Sequence, residues 1–293
     1  MYPVAFEYVR PSSVDEARHW LVELGEDAKL LAGGHSLLPM LKLRLAAPEV
    51  LVDICDLPEL VRIDVGADGA RLGAGTTWRA LLRDRSLGAA YPLIHDAVAV
   101  IGDRQVRARG TIGGSIAHAD VAADIPAPLL ALGASVEIAG DTGSRREPLD
   151  DVLVGMFETT LGEAELLTAV HIPALSSTTT TAYVKFEQPA SRLALCGVAV
   201  VIDHHPDQRL HGVRIAVTGA GDRAYRATEA EAVLEGQQPD DQRLDAAADA
   251  ARHDLSARSD VHADAVYRSH LVRVLTRRAL ETALARHAAQ EAA

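Results

Sequence analysis

Two short glycine runs hold the residues best suited to chemistry: Leu30-Leu31-Ala32-Gly33-Gly34-His35-Ser36-Leu37 and Gly110-Thr111-Ile112-Gly113-Gly114-Ser115. Short apolar stretches at 29–31 and 98–101 come just before them. Glycine lets a backbone approach a ligand more closely than any other residue does, and amides lined up in a turn present their N–H groups to an anion. The two runs therefore read as two jaws for one anionic group, with His35 and Ser36 adding side-chain donors. An adjacent glycine pair after a strand equally makes a plain tight turn. Neither run is the G-x-G-x-x-G dinucleotide fingerprint or the G-x-x-x-x-G-K-[ST] phosphate loop.

Other polar groups are less specific. Arg104, Arg107 and Arg109 concentrate positive charge before the second run, and for each a solvated loop is favoured over ligand contact. His118, Asp120 and Asp124 contain metal-ligating types, but nothing in their spacing fixes a coordination geometry; Asp124 better suits a hydrogen bond to a hydroxyl or amide. The remaining histidines, His204 and His205 among them, read as surface residues. No G-x-S-x-G elbow is present, and Cys55 and Cys196 stand far apart with no Cys-x-x-Cys spacing. This cysteine usage encodes neither a disulfide framework nor an iron–sulfur or zinc site. If the chain is an enzyme, a bound cofactor carries the chemistry.

The chain as a whole is acidic, with 29 Lys+Arg against 41 Asp+Glu and a net charge of -12. That argues against nucleic acid as a partner yet leaves phosphate binding open, because backbone N–H groups can supply the positive end. At 293 residues the chain is long enough for more than one core. No apolar stretch approaches the ~20 residues of a membrane span, and residues 1–7 lack the features of a signal peptide. A cytoplasmic location is expected.

The elements that must position the glycine runs follow from periodicity. Ser13 and Glu16 form a capping box ahead of Ala17, Leu21 and Leu24 on one helix face. Strands at 28–32 and 50–54 flank an apolar segment at 37–45 broken by Pro39, a βα arrangement. Val61, Ile63 and Val65, a turn at Asp68-Gly69, then Leu72 and Ala74 read as a hairpin. Short helices are expected from Thr76 or Thr77 to Leu82, over 94–100, and over 125–132 with Pro126 in the first turn and Gly133 at the end. Strands at 135–138 and 166–172 complete this part. The polar run 173–181 marks a boundary. Beyond it come strands at 182–186, 193–203 and 213–217, then two helices, the last placing Tyr267, Leu271, Val274 and Leu275 on one face. Residues 286–293 read as a frayed tail. The expected organisation is α+β, with domains at 1–174 (subdomains about 1–55 and 56–174) and 175–293.

With their flanks, the motifs become more specific. The runs 30–44, Ile101-Gly102-Asp103, Gln105-Val106-Arg107 and 109–120, with 166–173 and 267–275 later, resemble the flavin subunits of molybdenum hydroxylases. They are similar to the medium subunits of aerobic carbon monoxide dehydrogenases and to the flavin region of xanthine dehydrogenases. The resemblance spans nearly the whole chain. It implies an FAD-binding fold of the vanillyl-alcohol-oxidase (PCMH) type: two α/β subdomains, then a domain of a three-stranded antiparallel sheet and helices. It also implies that the two glycine runs take the FAD pyrophosphate, that Ile101 and Leu167 line the cofactor, that Asp124 hydrogen-bonds it, and that Lys185 lies near it. A large molybdopterin-binding subunit and a small [2Fe-2S] subunit are the implied partners, in a dimer of heterotrimers. Electrons would come from the [2Fe-2S] clusters and leave to NAD, quinone or oxygen. Val121 stands where many relatives carry proline, and Leu193 where an aromatic ring often covers the flavin. A stand-alone FAD oxidoreductase of the same fold and a non-redox nucleotide-binding module are the alternatives. Substrate choice belongs to the molybdenum subunit and is not written in this chain.

Overall fold

The computed structural model describes residues 2–292. The first part is a parallel three-stranded sheet in the order β1 (Glu7–Val9), β3 (Val50–Asp53), β2 (Ala28–Leu31). Helix α1 (Val14–Leu24) buries Ala17 and Leu21 against it. Ser13 caps α1 by accepting the Glu16 N–H, but the Glu16 carboxylate takes the N–H and hydroxyl of Ser12, so the reciprocal half of the capping box closes one residue early. Helix α2 (Leu37–Leu43) contains Pro39. It sits in the first turn, where the N–H it lacks has no intrahelical acceptor.

The second part is an antiparallel five-stranded sheet ordered β4 (Ile63–Gly66), β5 (Gly69–Gly73), β10 (Leu166–Pro173), β6 (Ser135–Gly140), β7 (Gly143–Pro148). Between β5 and β6 run six short helices: α3 (Trp78–Arg83), α4 (Arg85–Ala90), α5 (Pro92–Ala99), α6 (Arg104–Arg109), α7 (Ile112–His118) and α8 (Pro126–Ala131). Buried Leu72, Leu81, Ile94, Ile112, Leu129 and Val170 join helices and sheet in one core. Residues 104–109 are thus helical, capped by Asp103, where the sequence reading has a solvated loop. Strand β7 escapes periodicity because Gly143-Ser144-Arg145-Arg146-Glu147-Pro148 has no apolar face. A one-turn helix α9 (Leu149–Val152) and the hairpin of β8 (Leu153–Gly155) and β9 (Glu158–Thr159) lead back to β10.

In the third part an antiparallel sheet runs β11 (Thr179–Glu187), β12 (Ala194–His204), β13 (Leu210–Thr218), with the two-residue β14 (Tyr225–Arg226) beside the three long strands. The boundary run is shorter than expected, since Thr179, Thr180 and Thr181 already belong to β11; β-branched side chains suit a pleated strand. Three helices follow instead of two: α10 (Thr228–Leu234), α11 (Asp241–Ala250) and α12 (Ala265–Glu291). Arg268 on α12 is 0 % exposed and donates to the Leu195 and Gly219 carbonyls and to Asp260. Residues 286–291 are not frayed: Arg286 donates to Asp96 (2.5 Å) and to the Thr181 carbonyl (2.7 Å), holding the last turns against the rest of the chain. Among the described residues no helix is long and apolar enough to cross a membrane.

His204 is buried rather than on the surface, stacked on His287 with ring centroids 3.6 Å apart and hydrogen-bonded to Thr180. Burial, then the neighbouring His287, push its pKa down to about 4. An unfolded chain takes up this proton near pH 6.5, so the stability due to neutral His204 is complete above that pH and is lost as pH falls towards 4. Urea unfolding of the wild type minus that of His204→Gln should show this loss, on the order of 3 kcal/mol. Parallel pH profiles for the two proteins would rule it out.

Candidate functional site

The first glycine run leaves β2 as an open turn. Among the described residues the amides of Gly33, Gly34, His35 and Ser36 find no acceptor in the protein. Four consecutive backbone donors without partners are uncommon unless water or a ligand satisfies them. Gly34 holds φ +72, which favours glycine. His35 turns Nδ1 to the Gly33 carbonyl at 2.9 Å and so braces its own loop. In the second run, Thr111 caps α7 by accepting the Gly114 N–H, and the Gly113 N–H donates to the Ala74 carbonyl at 2.8 Å.

The glycines serve a purpose that spacing alone does not reveal. A Cβ on Gly33 would fall on the carbonyl oxygen of Arg109. One on Gly113 would lie 2.8 Å from the Ala74 carbonyl oxygen, and one on Gly110 would lie 2.5 Å from Nε1 of Trp78. Ala32 is the nearest neighbour across from Gly114, at 3.8 Å from the position of a Cβ there. Each loop therefore packs backbone to backbone, and the bare glycine sides are spent first on chain–chain contact. The same residues line a shared cleft of about 800 Å³, near the upper end of the roughly 300–1,000 Å³ usual for ligand sites.

Most of the residues expected from sequence meet there: Leu30, Ala32 to Leu37, Ile101, Gly110, Thr111, Gly113 to Ser115, Asp124 and Leu167 all line the cleft. Leu31, Ile112 and Lys185 do not. Leu31 gives its carbonyl to the Ile54 N–H, and Ile112 is packed into the core. Gly75, Trp78 and Gly102, which the sequence did not single out as site residues, also line the cleft, as does the 191–193 turn, where the resemblance places Leu193 beside the flavin. Trp78 and Gly75 come from the β5–α3 turn and 191–193 from the β11–β12 turn, so only the assembled fold brings them together. Gly102 adjoins Ile101 and carries φ +46.

Lys185 lies behind the wall, its side chain 5 % exposed. Its Nζ donates to Asp124 Oδ2 (2.9 Å), the Val100 carbonyl (3.1 Å) and the Arg192 carbonyl (2.6 Å). Tyr183 donates its hydroxyl to the other oxygen of Asp124 at 2.7 Å. Burial raises the Asp124 carboxyl to about 6 against the pull of Lys185, and burial next to Asp124 raises the Tyr183 phenol. Both oxygens of Asp124 are thus engaged by its own chain. Arg107 donates to the Ile101 and Gly102 carbonyls, and Arg192 also reaches Gly102, so these cations shape the cleft mouth. Leu193, 42 % exposed, stands at that mouth with an aliphatic side chain.

Val121 gives its carbonyl to the Gly219 N–H and the Thr218 hydroxyl, groups that a proline there would also satisfy. His118 packs on Phe157 at 4.9 Å, and burial lowers its pKa. It does not converge with Asp120 and Asp124 on a common metal position. Cys55 donates its thiol to the Ala32 carbonyl at 2.9 Å, and burial raises it to about 12, leaving no thiolate. The cleft offers unpartnered amides, a glycine cradle and an apolar floor, with no nucleophile. That set fits a dinucleotide held by its pyrophosphate.

Residues 4–175 match the family described as the FAD binding domain in molybdopterin dehydrogenase, and residues 181–283 match the CO dehydrogenase flavoprotein C-terminal domain. The chain is 40 % identical to the carbon monoxide dehydrogenase medium chain of Hydrogenophaga pseudoflava, over 98 % of this chain and 99 % of that one. It is 38 % identical to the nicotine 6-hydroxylase medium subunit of Paenarthrobacter nicotinovorans, over 96 % and 98 %. A solved structure of the Hydrogenophaga pseudoflava carbon monoxide dehydrogenase superposes with a TM-score of 0.94 at 41 % identity, covering 98 % of this chain and 99 % of that one.

A side chain at Gly33 or Gly113 forces backbone apart at the loop contact, where no flexible group can yield. Gly33→Val and Gly113→Val should each lower flavin bound per chain, read by visible absorbance after reconstitution, by about tenfold or more. The far-UV circular dichroism of the whole chain should be unchanged. Full flavin content in both variants would contradict the site.

Proposed function

The chain belongs to the family of FAD-binding domains of molybdopterin dehydrogenases, and on that premise we propose that it is the FAD-carrying electron-transfer subunit of a molybdenum hydroxylase complex. Electrons reach it from [2Fe-2S] clusters on a small partner, which a large molybdopterin-bearing partner supplies. They leave to an external acceptor: NAD, a quinone or oxygen. The assembly is a dimer of heterotrimers in the cytoplasm.

One observation carries the reading. The match to medium subunits uses 98 % of the chain, which supports reading this chain as such a subunit. Its two cysteines are a thiol held protonated beside a carbonyl and a thiol in the core of the third sheet, unsuited to ligate a cluster. This supports an electron source on another chain. The two relatives described above are named for different substrates, carbon monoxide and nicotine. A shared type of medium chain beside different substrates supports a reading in which substrate choice belongs to the partner.

When bound, FAD supplies exchange of electrons singly or in pairs. The residues of this chain bind and orient it. The amides of Gly33 to Ser36 hold the pyrophosphate in a nest of N–H donors, with the Thr111–Ser115 loop, whose Gly113, Gly114 and Ser115 N–H groups are bonded within the chain, lining the opposite side. Ile101 and Leu167 offer an apolar surface. Lys185 and Asp124 hold the Val100 and Arg192 backbones at the cleft mouth, where aliphatic Leu193 leaves the opening uncapped by any aromatic ring. No acid or base takes part, which suits electron transfer rather than bond making.

Expression with the adjacent candidate partner genes and tagging of this chain alone should copurify three different subunits, and substrate should bleach the flavin only in that preparation. A monomer that oxidises substrates by itself would overturn the proposal.

A further inference from the structure

The turn joining β12 to β13 holds a group of side chains that the flavin cleft does not use. Strand register places them. Asp203 pairs with His211 and His204 with Leu210; His204 and Leu210 point into the core, so by the alternation of a strand Asp203, His205 and His211 share the solvent face. Closing bonds from the His205 N–H to the Arg209 carbonyl (3.1 Å) and from the Gln208 N–H to the His205 carbonyl (2.9 Å) fix the turn. His205 and His211 become diagonal neighbours, with ring centroids 5.2 Å apart. Asp207 brings a carboxylate oxygen to 3.0 Å from Nδ1 of His205. One ligand atom from each of His205, Asp207 and His211 lies within 4.8 Å of the others.

A fourth donor atom stands nearby. Glu235, at the end of α10, places Oε1 3.4 Å from Nδ1 of His211 while its carboxylate accepts the Gly212 and Val213 N–H groups. Arg209 lies 3.6 Å from the second oxygen of Asp207, and the oxygen beside His205 accepts the Arg209 N–H at 2.9 Å, which leaves it one further lone pair. Two imidazoles and one or two carboxylates are the donor set of a borderline divalent cation such as Zn²⁺; Mg²⁺ and Ca²⁺ prefer all-oxygen sites. An exposed imidazole–carboxylate contact contributes little alone, whereas a single cation engages all three groups at once.

We propose that His205, Asp207 and His211, with Glu235 in reserve, form a surface Zn²⁺ site that pins the β12–β13 turn to the end of α10. The site stands at the far end of β12 from Ala194, about 33 Å along the strand at ~3.3 Å per residue, and so acts apart from the flavin cleft.

The test is calorimetric titration of the full, FAD-loaded, chelator-treated chain, free of any polyhistidine tag, with zinc chloride alone at pH 7.5. Saturable one-to-one binding is expected. His205→Ala, His211→Ala and Asp207→Asn should each weaken binding about tenfold or more while flavin content stays at the wild-type level. His205→Asn, a smaller change to the turn, should act in the same direction. Absence of one-to-one binding, or equal affinity in the wild type and the His205→Ala/His211→Ala double variant, would overturn the proposal.

Discussion

The structure depends on backbone touching backbone at two places: Gly33 against Arg109 and Gly110, and Gly113 against Ala74. The first contact brings the open turn of the parallel sheet against the helical segment of the antiparallel one, and the second seats α7 on the end of β5. Packing without intervening side chains forces both loops to face the same space. The amides of residues 33–36, deprived of internal acceptors, then become the polar wall of a cleft. Unpaired backbone donors are costly away from water or a ligand, so this arrangement gives up stability that a bound anion restores.

The third sheet closes the cleft from the other side. Segment 121–123 is joined to it by main-chain bonds from Gly219 to Val121 and from Ala194 to Ala122. Lys185 and Tyr183 reach back from β11 to Asp124. A buried ion pair contributes little net stability, because desolvation offsets attraction, but losing one partner is strongly destabilising. Its value here is directional. Lys185 also holds carbonyls of Val100 and Arg192, so one ammonium sets the spacing between the Ile101–Gly102 turn and the 191–193 turn at the cleft mouth.

Much of this was legible in the residues. Alternation and caps located most strands and helices, and the two glycine runs read as facing jaws do line one cleft. What stayed hidden was whatever depends on distant partners. Strand β7 has no apolar period, so only pairing with β6 makes it a strand. Arg286 and His204 look like surface residues until Asp96, Thr181 and His287 are brought beside them. Lys185 was expected near the cofactor, yet its ammonium is taken up by one carboxylate and two carbonyls behind the wall. The glycines themselves were read for ligand approach, while their bare faces also serve the contact between loops.

In the proposed site the backbone amides of residues 33–36, facing the second glycine loop, hold the pyrophosphate of FAD. Competition against FAD on the flavin-free chain, with ADP and adenosine as competitors, tests it most directly, since the two differ in the pyrophosphate alone. The account predicts that ADP displaces FAD at concentrations at least about a hundredfold lower than adenosine does, a difference of roughly 2.7 kcal/mol. Equal displacement by ADP and adenosine would contradict it.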